Sequence, residues 1–148
     1  MERKFYPLYH RMDAIESTSG EKWPRGEMHE FAKAIVVGNL AFLSGVAVES
    51  GEVTSGDVLE QTEVVVAKIN STLQDIGLSL ANLVKHTIYV KQGEDGHAVS
   101  NKFHDECYRY APSLKDEPDA GTLIYVPALA LDEMKVEIDV IAAYTDPK

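Results

Sequence analysis

Between Asp57 and Ile76 the apolar positions recur at steps of three and four: Val58, Thr62, Val65, Val66, Ile69, Leu73 and Ile76. That spacing lines up one stripe on a helix of about twenty residues, and such a stripe has to be buried against another layer. Asp57 is placed to cap the first turn, and Gly77 to close the last one in a left-handed conformation. The run Val64-Val65-Val66 has mediocre helix propensity, but periodicity sustained over this length outweighs it. Whatever else the chain does, it must supply a surface for this helix.

The other apolar segments are short and partly β-branched. FAKAIVVG and LAFLSGVAV, from Phe31 to Val48, are separated by Gly38-Asn39, which reads as a hairpin whose two turn residues supply positive φ. LVKHTIYVK (83–91) alternates as a strand with Val84, His86, Ile88 and Val90 on one face. HAVSNKFHDECYRYA (97–111) reads as a second helix with Val99, Phe103, Cys107 and Tyr110 inward, and GTLIYVPAL (121–129) and KVEIDVIAAY (135–144) as two more strands. The order β-β-α-β-α-β-β predicts an α+β fold, a mixed sheet with both helices on one face. Residues 1–26, with scattered aromatics and a stretch of Ser, Gly, Pro and charge, read as an arm or loop ahead of a domain spanning 27–148.

The chain has 148 residues, which suits one domain with its own core. A net charge of −10 with no Lys/Arg cluster argues against nucleic acid and against an anionic membrane surface as partners. The single cysteine, Cys107, cannot form an intrachain disulfide, and no apolar run approaches the ~20 residues of a membrane span. MERKFYPLYH lacks the apolar core of a signal peptide, so a cytoplasmic location is expected.

In the last strand Val136, Ile138 and Val140 alternate with Glu137 and Asp139. One face can lie under the helices. The other sets carboxylates in mid-strand on a face the helices leave bare, and a bare, largely apolar sheet buries itself by association. An oligomer is therefore expected.

In order and spacing, several short patterns resemble the RidA/YjgF family of small trimeric proteins. They are the hairpin ending in Leu43-Ser44-Gly45, Gln61, Asn70, Leu73, Gly77, the VxxTxxYV pattern from Val84 to Val90, Asn101, and VEIxxIA from Val136 to Ala142. The resemblance runs from about Phe31 to Tyr144. It implies a chorismate-mutase-like α+β fold and a homotrimer built on the helix-free sheet faces, with ligand clefts between subunits. In many relatives these clefts hydrolyse reactive enamines or imines to a keto acid and ammonia. It also implies a strand glutamate that positions water, here Glu137, and a helix asparagine, here Asn101. The family's arginine, in the pattern P-x-R-[ST], grips a substrate carboxylate. In PDAGTLIYV, Gly121 stands in its place and Thr122 in that of the Ser/Thr, and Phe31 replaces a tyrosine.

The candidate chemistry follows. A partly desolvated Glu137 suits general acid/base work on a C=N bond, with Phe31, Ser44, Gly45, Asn101, Gly121 and Thr122 shaping the cleft. Gly45 would let a ligand or another backbone come close. Without the arginine, a carboxylate would need another cation, for which Arg25, Lys33 and Lys135 are available. Cys107 reads as a buried thiol rather than a nucleophile, and His86 as a packed histidine. Phe5, Tyr6, Tyr9 and Trp23 could fasten the arm to a neighbouring subunit. No nucleotide, zinc or other metal motif occurs, so neither a cofactor nor a metal is expected. The leading reading is a cofactor-free deaminase of an imine, enamine or amino-muconate-like metabolite. A non-catalytic small-ligand trimer is the alternative, and ribonuclease or translation-inhibitor activity comes third because phosphate binding needs cationic surface.

Overall fold

The computed structural model describes residues 2–7, 15–16, 22–23, 31–49, 51–52 and 56–145. Strands β1 (Arg3–Pro7), β4 (Ala32–Val37), β5 (Leu40–Leu43), β6 (Leu83–Lys91), β7 (Ala120–Val126) and β8 (Val136–Ala143) form one sheet in the order β1-β4-β5-β8-β6-β7. Only β6 and β7 run parallel, joined through helix α2 (Gly96–Tyr110); helix α1 (Val58–Asp75) connects the first hairpin to β6. Two-residue strands β2 (Ile15–Glu16) and β3 (Lys22–Trp23) pair separately. The expected α+β architecture, two helices over a mixed sheet, is what forms.

Helix α1 has the predicted ends. The Asp57 carboxylate accepts from Leu59 N–H at 2.7 Å, and Gly77 takes φ +81° while Leu78 N–H reaches back to the Leu73 carbonyl at 2.8 Å. Its predicted stripe is buried, and each such aliphatic side chain contributes about 1.5–3 kcal/mol of burial. Gln61 and Thr72 join the stripe. Gln61 is polar yet partnered at both ends of its amide: its nitrogen donates to the Glu133 carbonyl at 2.8 Å and its oxygen accepts from Lys135 N–H at 2.9 Å. It thus ties the loop before β8 to the helix layer.

Three local expectations are corrected. In the Gly38-Asn39 turn only Gly38 has positive φ (+60°), the type II′ arrangement. Val84 is 45% exposed, because Leu83 and Lys85 pair with consecutive residues Ala142 and Ile141 and the bulge turns Val84 out of line. Tyr110 is 49% exposed at the end of α2, and buried Glu106, paired with Lys102 and Arg109, lies inward in its place. Within the segment read as an arm, β1 extends the sheet beside β4; the side chain of Trp23, and Tyr9 altogether, lie outside the described residues.

The alternation in β8 divides the sheet. Val136, Ile138 and Val140 are buried toward the helices, whereas Glu137, Asp139 and Ile141 are half-buried on the helix-free face. Register carries that face across the sheet, to Phe42 on β5, to Lys85, Thr87 and Tyr89 on β6, and to Thr122 and Ile124 on β7. Among the described residues no helix is long and apolar enough to cross a membrane.

Candidate functional site

Glu137 is set in place by a break in strand pairing. β5 pairs with β8 at Phe42↔Ile141, and the ladder resumes at a bridge between Val46 and Ile138, with N–H···O distances of 2.8 and 3.0 Å. One extra residue is accommodated between these points, a bulge at Leu43–Gly45. The bulge brings Gly45 against the glutamate: a β-carbon on Gly45 would lie 2.9 Å from Glu137 Cδ and 3.0 Å from Oε2. Both readings of Gly45, close approach and bulge, therefore describe one feature. Ser44 donates its hydroxyl to the Ala32 carbonyl at 2.6 Å, and its backbone N–H bonds the Lys33 carbonyl. This fixes the β4–β5 end beside the acid and leaves the Ser44 oxygen able to accept.

Burial pushes the Glu137 carboxyl above its ordinary range, and the neighbouring Asp139 charge adds to the shift. Among the described residues no hydrogen bond or ion pair engages its carboxylate. Tyr89 lies directly across the ladder from Glu137 and donates its hydroxyl to Asp139 at 3.1 Å. Asp139, burial and Glu137 raise the tyrosine's own pKa, so the phenol stays protonated. Two carboxyl groups and a phenol form an acidic strip on the helix-free face.

The other candidates divide between the two sides of the sheet. Thr122 is on the same face as Glu137, at β7, where its hydroxyl oxygen accepts from Lys85 Nζ at 2.7 Å. Gly121 points the opposite way: a β-carbon there would lie 2.5 Å from Cε1 and Nε2 of His86, under α2. A side chain at 121 would thus reach the core, and it is Ala120 and Thr122 that share the open face with Lys85 and Thr87. Asn101 sits on the exposed outer surface of α2 and lines a cavity of about 420 Å³ with His104, Asp105 and Tyr108. Within one chain it does not meet Glu137. Phe31 is exposed at the start of β4.

His86 is buried, as expected of a packed histidine, but it has a charged companion: its Nδ1 lies 2.7 Å from Asp119 Oδ2, both side chains at most 6% exposed. Phe103 packs against the ring at a tilt of 47°, 4.5 Å between centroids. Cys107 is buried, and desolvation, with Asp119 and Glu106 nearby, pushes its thiol up to about 12. Of the substitute cations, Lys33 pairs with Asp75 at 2.6 Å and Lys135 with Glu94 at 3.3 Å, while Arg25 lies outside the described residues. Sequence reasoning passed over Lys85 and Tyr89. The signal that could have found both is their period-two placement with Thr87 opposite the Glu137–Asp139 alternation.

A family model described as Endoribonuclease L-PSP matches residues 25–144. A RutC family protein of Pyrococcus abyssi is 36% identical over 91 residues, covering 60% of this chain and 70% of the relative. A chloroplastic protein of Arabidopsis thaliana named Reactive Intermediate Deaminase A is 34% identical over 130 residues, 86% of this chain and 65% of that protein. The crystal structure of a YjgF/YER057c/UK114 family member from Mycobacterium tuberculosis superposes with a TM-score of 0.66 at 20% identity, covering 97% of this chain and 100% of the other.

Proposed function

The chain belongs to the endoribonuclease L-PSP family, the RidA/YjgF group, and from that premise we propose that it is a cofactor-free hydrolytic deaminase of a reactive imine or enamine, working as a homotrimer in the cytoplasm. The observation that carries this reading is Glu137: a half-buried carboxyl of raised pKa, without a partner among the described residues and packed on a bare glycine on the helix-free face. A carboxyl that titrates nearer neutrality can both give and take a proton, which is what C=N hydrolysis asks of it. Protonation of the imine nitrogen makes its carbon electrophilic. Water then adds through oxygen as a base removes its proton, and the carbinolamine collapses to a C=O group as ammonia leaves. Tyr89 spends its O–H on Asp139 and leaves its oxygen beside the acid as an acceptor. The deaminase name of the Arabidopsis relative supports the same direction.

The bare face also supports the trimer. Phe5 and Phe42 are 49% and 40% exposed there, and burying them between copies would further desolvate Glu137. A ribonuclease reading, which the family description invites, is opposed by the net charge of −10. A non-catalytic ligand-binding trimer is favoured by one observation: no arginine occurs on β7.

The test generates α-imino acids with an amino-acid oxidase and follows keto-acid release. The wild type should accelerate release over buffer, and Glu137→Gln should lower kcat about 10²–10⁴-fold. Equal rates with both proteins, or none above buffer, would leave the binding module. Light scattering at micromolar concentration should give three times the chain mass.

A further inference from the structure

Glu137 and Asp139 stand two residues apart on the helix-free side of β8, about 7 Å along an extended strand. Strand β6 brings one hydroxyl group to them. Tyr89 is the ladder partner of Glu137 and Thr87 that of Asp139, yet the Tyr89 O–H crosses the ladder diagonally to Asp139 Oδ2 at 3.1 Å. A phenol has one hydrogen to donate. Toward Glu137 it keeps only lone pairs, which a protonated carboxyl can use and an ionised one cannot. Glu137 meets the bare Cα of Gly45 instead, and among the described residues nothing donates to its oxygens.

Among the described residues no ammonium or guanidinium pairs with either carboxyl group. At the flanking positions of the same two strands, Lys135 pairs with Glu94 at 3.3 Å and Lys91 donates to the Asp132 carbonyl at 3.1 Å. Lys85 donates to Thr122 Oγ1 at 2.7 Å and to the His86 carbonyl at 3.0 Å. The bulge at Leu43–Gly45, the remaining wall, carries no titratable side chain. Two like groups in unlike surroundings divide their roles: the one given a donor holds charge, and the one set against backbone holds a proton. Burial first, and the Asp139 charge second, raise the Glu137 carboxyl in keeping with that division.

We propose that Tyr89 and Asp139 are positioning residues for the working proton: Tyr89 commits its O–H to Asp139, so that Asp139 carries the charge of the pair and Glu137 the proton. The inference deepens the hydrolase reading and rests on it for its effect on turnover. Glu137 then meets the imine as an O–H acid. Its proton goes to the imine nitrogen, and the carboxylate so formed takes the proton of the adding water. The same exchange repeats as the carbinolamine releases ammonia, with the proton going to nitrogen and returning from the hydroxyl. Glu137 ends each turn protonated, and Asp139 touches neither substrate nor water in this scheme.

The experiment follows the Glu137 carboxyl itself. Protein labelled with ¹³C at glutamate Cδ is titrated by NMR, and the Glu137 signal is the one missing from Glu137→Gln. In the wild type it should titrate in one main step. Asp139→Asn should move that midpoint to lower pH, since the lost charge and the freed Tyr89 O–H act in the same direction, and Asp139→Glu should restore it. Tyr89→Phe should split the titration into two steps, because the proton is then shared between the carboxyl groups. In parallel, the alkaline limb of kcat/KM for imine hydrolysis should move to lower pH in Asp139→Asn while the acid-side plateau is kept, a change that a loss of packing alone would not give. Thermal melts verify that the variants fold. A Glu137 midpoint that stays put or rises in Asp139→Asn, or a single unaltered step in Tyr89→Phe, would overturn the inference. If the wild type turns over no imine while the NMR titrations behave as stated, the hydrolase reading fails and the placement of the proton stands.

Discussion

Glu137 rests its carboxyl group on the bare Cα of Gly45, where a methyl group would come within 2.9 Å of Cδ. The atoms in the way are the far end of a flexible side chain, which can swing aside. Gly45→Ala should therefore cost less than about 1 kcal/mol in a urea melt, yet displace the acid by a distance that lowers imine turnover about 10²-fold. A variant with full activity would detach Gly45 from the site.

Glu137 also makes stability depend on pH in an unusual sense for an acid. Its folded pKa is raised above the ordinary glutamate value, by burial first and by Asp139 second. Between the two values the native state holds more protons than the unfolded chain, so stability falls as pH rises through that window. The contribution is whole below the unfolded pKa and lost above the folded one. Glu137→Gln removes this dependence, and should gain on the wild type as pH rises through that window in parallel denaturant melts.

Gly121 tests a different contact. Its missing β-carbon makes room for the His86 ring, which Asp119 and Phe103 hold from two other sides. Gly121→Ala should destabilise by about 1–3 kcal/mol, because the ring has nowhere to retreat. In a double-mutant cycle with His86→Ala the losses should fall well short of additive. Additive losses would mean that the two residues do not meet.

Cys107 should be chemically quiet. A thiol held near 12 and buried has almost no thiolate at neutral pH. Native protein should resist iodoacetamide under conditions in which urea-unfolded protein is alkylated, as counted by intact mass.

Much of this architecture is legible in the residues because local and global signals agree. The α1 stripe, Asp57 and Gly77 each act within a few residues of themselves, and the β8 alternation exposes its two faces directly. What escaped is non-local or depends on register. Val84 was turned outward by a bulge that only pairing with β8 creates, and Tyr110 gave its inward place to Glu106 through ion pairs one turn away. The site was half legible for the same reason. Glu137 and Gly45 could be named from resemblance and residue type, but their contact depends on the bulge at Leu43–Gly45. Motif spacing put Gly121 in the arginine's place, while strand parity aims it at His86 and leaves Lys85, from another strand, facing the same open surface as Thr122.

The Gln61 clamp governs how this protein can vary. Because its amide holds Glu133 and Lys135, the strand that follows begins at a fixed phase whatever the preceding loop does. Lengthening or shortening the stretch from Pro127 to Asp132 should leave the acid on its proper side. A single residue inserted between Lys135 and Glu137 would exchange the two sides of the strand and turn the carboxyl into the core. Loop length is thus free to change before the clamp, and strand length is not free to change just after it.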